Sequence, residues 1–199
     1  MFGLEPSIAA KQSVELFKEK NIKNIIELGA GLGRDSIFFA QNSINVKALD
    51  YSPSAIKTIN EKAEKKSLSN LVSTKIFDIR KKFPFEDNSI EACFSHMLYC
   101  MAFSNYDLEN LNNEILRILK PGGFNIYTVR NTDDGDYKKG NYIGEDLYEN
   151  DGFIVHFFSK DKINHLSKGF EILDIEKFEE GKFPRKLFKV TLKKKLLAG

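Results

Sequence analysis

Apolar and polar residues run along this chain in blocks of two different periods. Over residues 7–19, Ile8, Val14, Leu16 and Phe17 fall at loosely helical spacing, and Ser7 after Pro6 suits an N-cap. NIIEL (Asn24–Leu28) reads as a buried strand and RDSIFFAQN (34–42) as a helix. NVKALD (Asn45–Asp50) reads as a second strand that ends on an acid. Pro53 then opens a helix, with Ser52 as N-cap and proline at the first helical position. VSTKIFD (72–78) and SIEACFSH (89–96) read as strands three and four. A helix over 106–119 carries Leu108, Leu111, Ile115, Leu116 and Leu119 on one stripe, and PGG (121–123) is expected to stop it. FNIYTV (124–129) reads as the fifth strand.

This alternation predicts a parallel sheet with helices on both faces. The end of the chain departs from it. FEILDIEKF (170–178) and KLFKVTLKKK (186–195) flank a turn around Gly181 and Pro184 with no helix between them, so these two strands pair antiparallel. The expectation is one α/β domain over residues 1–199: a doubly wound, Rossmann-like, seven-stranded sheet, mostly parallel, with one antiparallel C-terminal strand. An N-terminal helix is expected at one edge.

Composition narrows the function classes. At 199 residues, 42% hydrophobic and 29% charged, the chain has the make-up of a globular domain. Its net charge of +2 argues against a dedicated nucleic-acid binder. The longest apolar run, MLYCMAF (97–103), is far below the roughly 20 residues a bilayer span needs, so no membrane partner is expected. The first residues lack the basic start and apolar core of a signal peptide, and Cys93 and Cys100 suggest neither a disulfide framework nor a zinc site. A reduced, cytoplasmic setting without a bound metal is expected. Charge is unevenly spread. Residues 177–195 hold eight Lys/Arg and two Glu, which reads as a solvated edge strand. Phe183 and Phe188 add too little aromatic character for a nucleic-acid footprint. Residues 131–151 hold seven Asp/Glu and two Lys, which reads as a solvated loop or a substrate lid.

The chemistry centres on ELGAGLGR (27–34), between the first strand and its helix. Gly29, Gly31 and Gly33 are spaced G-x-G-x-G, whereas a dinucleotide fingerprint is G-x-G-x-x-G and would place its third glycine where Arg34 stands. Glu27 precedes the turn by two residues. Asp50 ends the next strand, where a carboxylate can accept from ribose hydroxyls, a position that fits NAD equally well.

The flanking segments decide between the cofactors. DYSPSAI (50–56), FPFEDNSIEACFS (83–95) and EILRILKPGGF (114–124), in order behind the glycine turn, resemble the class I S-adenosylmethionine (SAM)-dependent methyltransferases. The stretch GLGRDSIFFAQNSINVKALDYSPSAI is similar to the branch holding tellurite-resistance and thiopurine methyltransferases. The resemblance implies SAM as cofactor and S-adenosylhomocysteine as product. It implies a cradle of Gly29, Ala30, Gly31 and Gly33, with Glu27 at the ammonium end and Asp50 on the ribose. Tyr51, Asp78 and Ile79 would surround the adenine, and Ser95, on strand four, is expected among the cofactor-binding residues. Each has a plainer reading: a tight turn, an acid near a helix start, a cap, a surface tyrosine or a turn aspartate.

A methyl sulfonium is already an activated electrophile, so catalysis is mainly alignment, with a general base useful only for acceptors that carry a proton. His96, at the carboxyl edge after strand four, and His156, in GFIVHFFS, are the candidates for contacting the acceptor. His165 reads as an ordinary helix residue, and Cys100 lacks an activating neighbour. The implied activity is methyl transfer to a small-molecule acceptor. Its alternatives are a non-catalytic SAM-binding module and a methyltransferase acting on protein or RNA. The sequence gives no oligomeric state.

Overall fold

The computed structural model describes residues 5–181 and 184–196, so Phe183 lies outside the described residues. Helix α1 (Ile8–Glu19) leads into β1 (Asn24–Leu28), α2 (Arg34–Gln41), β2 (Asn45–Asp50), α3 (Pro53–Lys65), β3 (Val72–Ile76) and β4 (Ile90–His96). Then come α4 (Asn105–Ile118), β5 (Leu119–Arg130), the short strands β6 (Asn141–Gly144), β7 (Leu147–Asn150) and β8 (Phe153–His156), α5 (Lys160–Leu166), β9 (Phe170–Glu180) and β10 (Arg185–Lys194). Among these helices none is long and apolar enough to cross a membrane.

Seven strands form one sheet in the order β3-β2-β1-β4-β5-β10-β9. The first five are parallel, and β10 runs antiparallel to both β5 and β9. Strand order reverses between β1 and β4, and ligands of open α/β sheets bind beyond the carboxyl ends at such a switch. Because β9 runs with the parallel set, its last residue, Glu180, reaches the same edge as Glu27, Asp50, His96 and Arg130.

Two apolar layers hold the sheet. On one face α1, α2 and α3 bury Val14, Phe17, Ile37, Phe39, Ile56 and Ile59 against β1, β2, β4 and β5. Phe39 contacts Phe17 at 5.8 Å between ring centroids and Phe94 of β4 at 4.9 Å. This places α1 over the sheet face against α2 and β5, with Gln12 donating to Glu176 of the edge strand β9 at 3.0 Å, so the helix expected at one edge covers the face next to that edge. On the other face α4 and α5 bury Leu108, Leu111, Ile115, Ile163 and Leu166. The β3–β4 connection carries no helix. Arg117 of α4 fastens it instead, donating to the carbonyls of Phe83 and Phe85 at 3.0 and 2.8 Å.

Two local expectations change. PGG lies inside β5 and does not cap α4, which ends at Ile118 by passing into extended backbone. Gly123 is needed there because a Cβ would come within 2.9 Å of the carbonyl oxygens of Glu91 and Lys120, at a register shift opposite Ile90 and Ala92. The acidic stretch contains ordered structure. Strands β6, β7 and β8 form an antiparallel sheet through two-residue turns at Glu145–Asp146 and Asp151–Gly152, all four with positive φ. That is the handedness tight hairpins require.

Candidate active site

The glycine turn is folded back onto the end of β2. The amides of Gly29 and Ala30 donate to the Leu49 carbonyl at 2.8 and 3.1 Å. Asp50 then accepts the Gly31 N–H at 2.8 Å through Oδ2 and the Ser52 N–H at 2.9 Å through Oδ1. Ser52 caps α3 with its own hydroxyl, so Asp50 serves the turn, not the helix. The glycines have different reasons to be glycine. A Cβ on Gly33 would meet Ile59 Cγ1 at 2.6 Å, so its role is the close packing of α2 on α3. A Cβ on Gly31 would meet nothing within 4 Å, which leaves that side of the turn open. Both residues have positive φ.

Glu27 is buried at the end of β1 and accepts the Ser36 hydroxyl. Burial, reinforced by the neighbouring Asp35 charge, pushes its carboxyl well above the usual carboxylate range. Burial also raises Asp35, which accepts the amide and hydroxyl of Ser7 at 2.7 and 2.8 Å and so ties α1 to α2. At the other end of the edge Tyr51 is 77% exposed and Ile79 is buried. Asp78 is gripped by Arg80, whose Nε and Nη2 donate at 2.9 and 2.8 Å and hold it below the usual range.

The β4 end brings Ser95 and His96 to the middle of the edge. Ser95 Oγ is buried with no hydrogen-bond partner among the described residues. His96 Nδ1 shares a 3.0 Å hydrogen bond with Thr128 Oγ1 of β5. Burial, and next the Arg34 guanidinium, lower His96 from its ordinary 6.5 to about 3, so the ring is neutral at neutral pH. Met97, immediately after, holds a φ of 63° and donates its N–H to Thr128 Oγ1 at 2.9 Å. Such strain in a non-glycine residue persists where surrounding structure enforces it.

Glu180 completes this cluster from β9. Its Oε1 accepts from Arg34 Nη2 at 3.0 Å and lies 3.9 Å from His96 Nε2. Arg34 stands out in the sequence only as a non-glycine after the turn, and Glu180, 146 positions away, carries no motif.

His156 lies elsewhere. It is fully buried in β8, with Nδ1 2.8 Å from the Phe103 carbonyl and Nε2 2.5 Å from Lys162 Nζ. Both ring nitrogens are engaged, so the ring anchors the small sheet and presents no free edge to an acceptor. Cys100 accepts the Arg130 N–H through sulfur, and burial pushes its thiol up to about 12, which leaves it unreactive.

A parallel α/β sheet with this order and a glycine turn clamped by the acid of strand two defines the class: a doubly wound cofactor-binding domain. The comparisons give the family. Residues 25–123 match the family described as "Methyltransferase domain". The chain is 35% identical over 101 residues to phosphoethanolamine N-methyltransferase 1 of Triticum aestivum, which covers 51% of this chain and 20% of that protein. It is 30% identical over 174 residues to a sterol 24-C-methyltransferase of Gibberella zeae, covering 80% and 43%. Among solved structures, a SAM-dependent methyltransferase from Methanosarcina mazei superposes with a TM-score of 0.76 at 19% identity, covering 88% of this chain and 93% of that one. The chain belongs to the methyltransferase-domain family, and its fold is that of the SAM-dependent methyltransferase from Methanosarcina mazei. It spans less than half the length of the two curated relatives it matches here.

Proposed function

We propose that this chain transfers a methyl group from SAM to a small-molecule acceptor. The observation that carries the reading is the Asp50 clamp beside the open side of Gly31. Each Asp50 oxygen holds one backbone donor and keeps a lone pair that suits a ribose hydroxyl. The bare Cα of Gly31 leaves room for a ligand against the turn.

The other residues fit the same cofactor. An ammonium beside Glu27 would favour the charged form of a carboxyl that burial and Asp35 push up and that Arg34 only partly offsets. Gly29 and Ala30 complete the wall of the turn, and Gly33 keeps α2 close behind it. Tyr51, Ile79 and Asp78 offer an exposed ring, an apolar wall and an acceptor for the adenine, with Arg80 competing for Asp78. Ser95 Oγ supplies a buried hydroxyl in need of a partner. When bound, SAM supplies an electrophilic methyl sulfonium.

The protein's contribution is alignment and exclusion of water. A ring held near 3 is a weak proton acceptor at neutral pH, so His96 is assigned to contact and orientation. The sterol and phosphoethanolamine relatives by name support a small-molecule acceptor. The test is S-adenosylhomocysteine production by purified protein across thiol, amine, carboxylate and metalloid-anion panels. Turnover on one panel is expected. Binding of SAM without turnover on any would support the binding-module reading instead.

A further inference from the structure

Glu180 presents a buried carboxylate oxygen with no donor at the carboxyl edge of the sheet, beside the end of β4. Its Oε1 is occupied by Arg34, the residue directly after the glycine turn, and faces His96 at the end of β4. Its Oε2 is buried and has no hydrogen-bond partner among the described residues. Buried carboxylate oxygens are ordinarily satisfied, and an exception beside the residues of the glycine turn and the β4 end points to a ligand group. The surroundings select that group. An anion would meet the Glu180 charge. Arg34 already pairs the carboxylate charge through Oε1 at 3.0 Å, so a neutral donor satisfies Oε2 without adding net charge to the cluster.

We propose that Glu180 is the specificity-determining residue for the methyl acceptor, accepting through Oε2 from a neutral N–H or O–H group. The assignment rests on the methyltransferase reading and adds the acceptor's chemical class to it. Arg34 and His96 are positioning residues. Arg34 fixes the carboxylate by its ion pair, and Thr128 holds the His96 ring that faces it.

A matched set of small aromatic probes tests this on the full chain: aniline and benzyl alcohol, toluene without a polar group, benzylammonium and benzoate. Affinities are read by NMR titration, with the His96 ring resonances as reporter, in the presence and absence of S-adenosylhomocysteine. Aniline and benzyl alcohol should bind about tenfold tighter than toluene, one charge-assisted hydrogen bond being worth that factor or more. Benzylammonium and benzoate should bind no better than toluene. Glu180→Gln keeps an oxygen for Arg34 but turns an NH2 toward the site, so the aniline preference should vanish while S-adenosylhomocysteine affinity stays within twofold. Toluene binding as tightly as aniline in the wild type, a charged probe binding best, or Glu180→Gln keeping the aniline preference would each overturn the assignment. Ser95 Oγ is a second buried acceptor at this edge, so a Ser95→Ala protein should keep the aniline preference, and its loss there would overturn the assignment whether or not Glu180→Gln folds. Absence of S-adenosylhomocysteine binding, with the ranking intact, would count against the methyltransferase reading alone.

Discussion

Asp50 holds backbone on both sides of itself, and that gives its substitution two separable effects. Asp50→Ala leaves the N–H groups of Gly31 and Ser52 without their acceptor, which should cost about 1–3 kcal/mol of stability. It should also weaken S-adenosylhomocysteine binding by roughly tenfold or more, on the scale of a lost charge-assisted bond. Asp50→Asn should be milder on both counts. Denaturant unfolding and calorimetry on the same preparations separate the two, and unchanged affinity in a folded Asp50→Ala protein would remove the ribose assignment. The glycines give a second contrast. Gly33→Ala drives a methyl into Ile59 and should lower stability sharply. Gly31→Ala meets no neighbour and should lose cofactor affinity with a smaller stability cost from its positive φ. His96 gives a pH signature. Between its ordinary 6.5 and about 3, the unfolded chain takes up a proton that the folded ring refuses, so stability should fall as pH drops through that window. His96→Gln should flatten that part of the stability profile measured by urea unfolding, and an unchanged slope would show that the ring is not held neutral.

At the scale of elements, strands β1 to β5 were legible from apolar or alternating segments bounded by turn or cap residues, although β5 begins at Leu119, five residues before the segment read as its start. Ser7 and Ser52 cap helices as expected. The misses share a cause, which is geometry set across the sheet. PGG has the composition of a helix stop, yet its last glycine answers a backbone contact with Glu91 that no local pattern reveals. The small sheet was hidden by its acidic composition, although Asp-Gly at 151–152 between FIVH and LYEN is a hairpin signal. Residues 141–156 now have a definite exchange pattern. The β7 amides, paired on both sides, should exchange more slowly than those of β6 and β8, each of which has one open edge. If this sheet covers the acceptor, all three should slow further with S-adenosylhomocysteine and acceptor together. Equal exchange in all three strands would show that the sheet does not persist in solution.

At the scale of the molecule, the fold brings distant residues to one edge. The reversal of strand order between β1 and β4 opens the crevice, and the antiparallel β10 returns β9 so that Glu180 ends beside Arg34 and His96. The cofactor half of the site was readable because its residues sit at fixed offsets from one turn. The acceptor half was not, because Arg34, Thr128 and Glu180 meet only through the sheet. The central claim concerns the cofactor, and cofactor choice can be measured directly. Calorimetric titration of the full chain with S-adenosylhomocysteine, SAM, NAD and NADP compares the two classes that use such turns. Saturable binding of S-adenosylhomocysteine and SAM at one site, with NAD and NADP weak or undetectable, is the predicted result; tight NAD binding with no binding of S-adenosylhomocysteine would contradict the account.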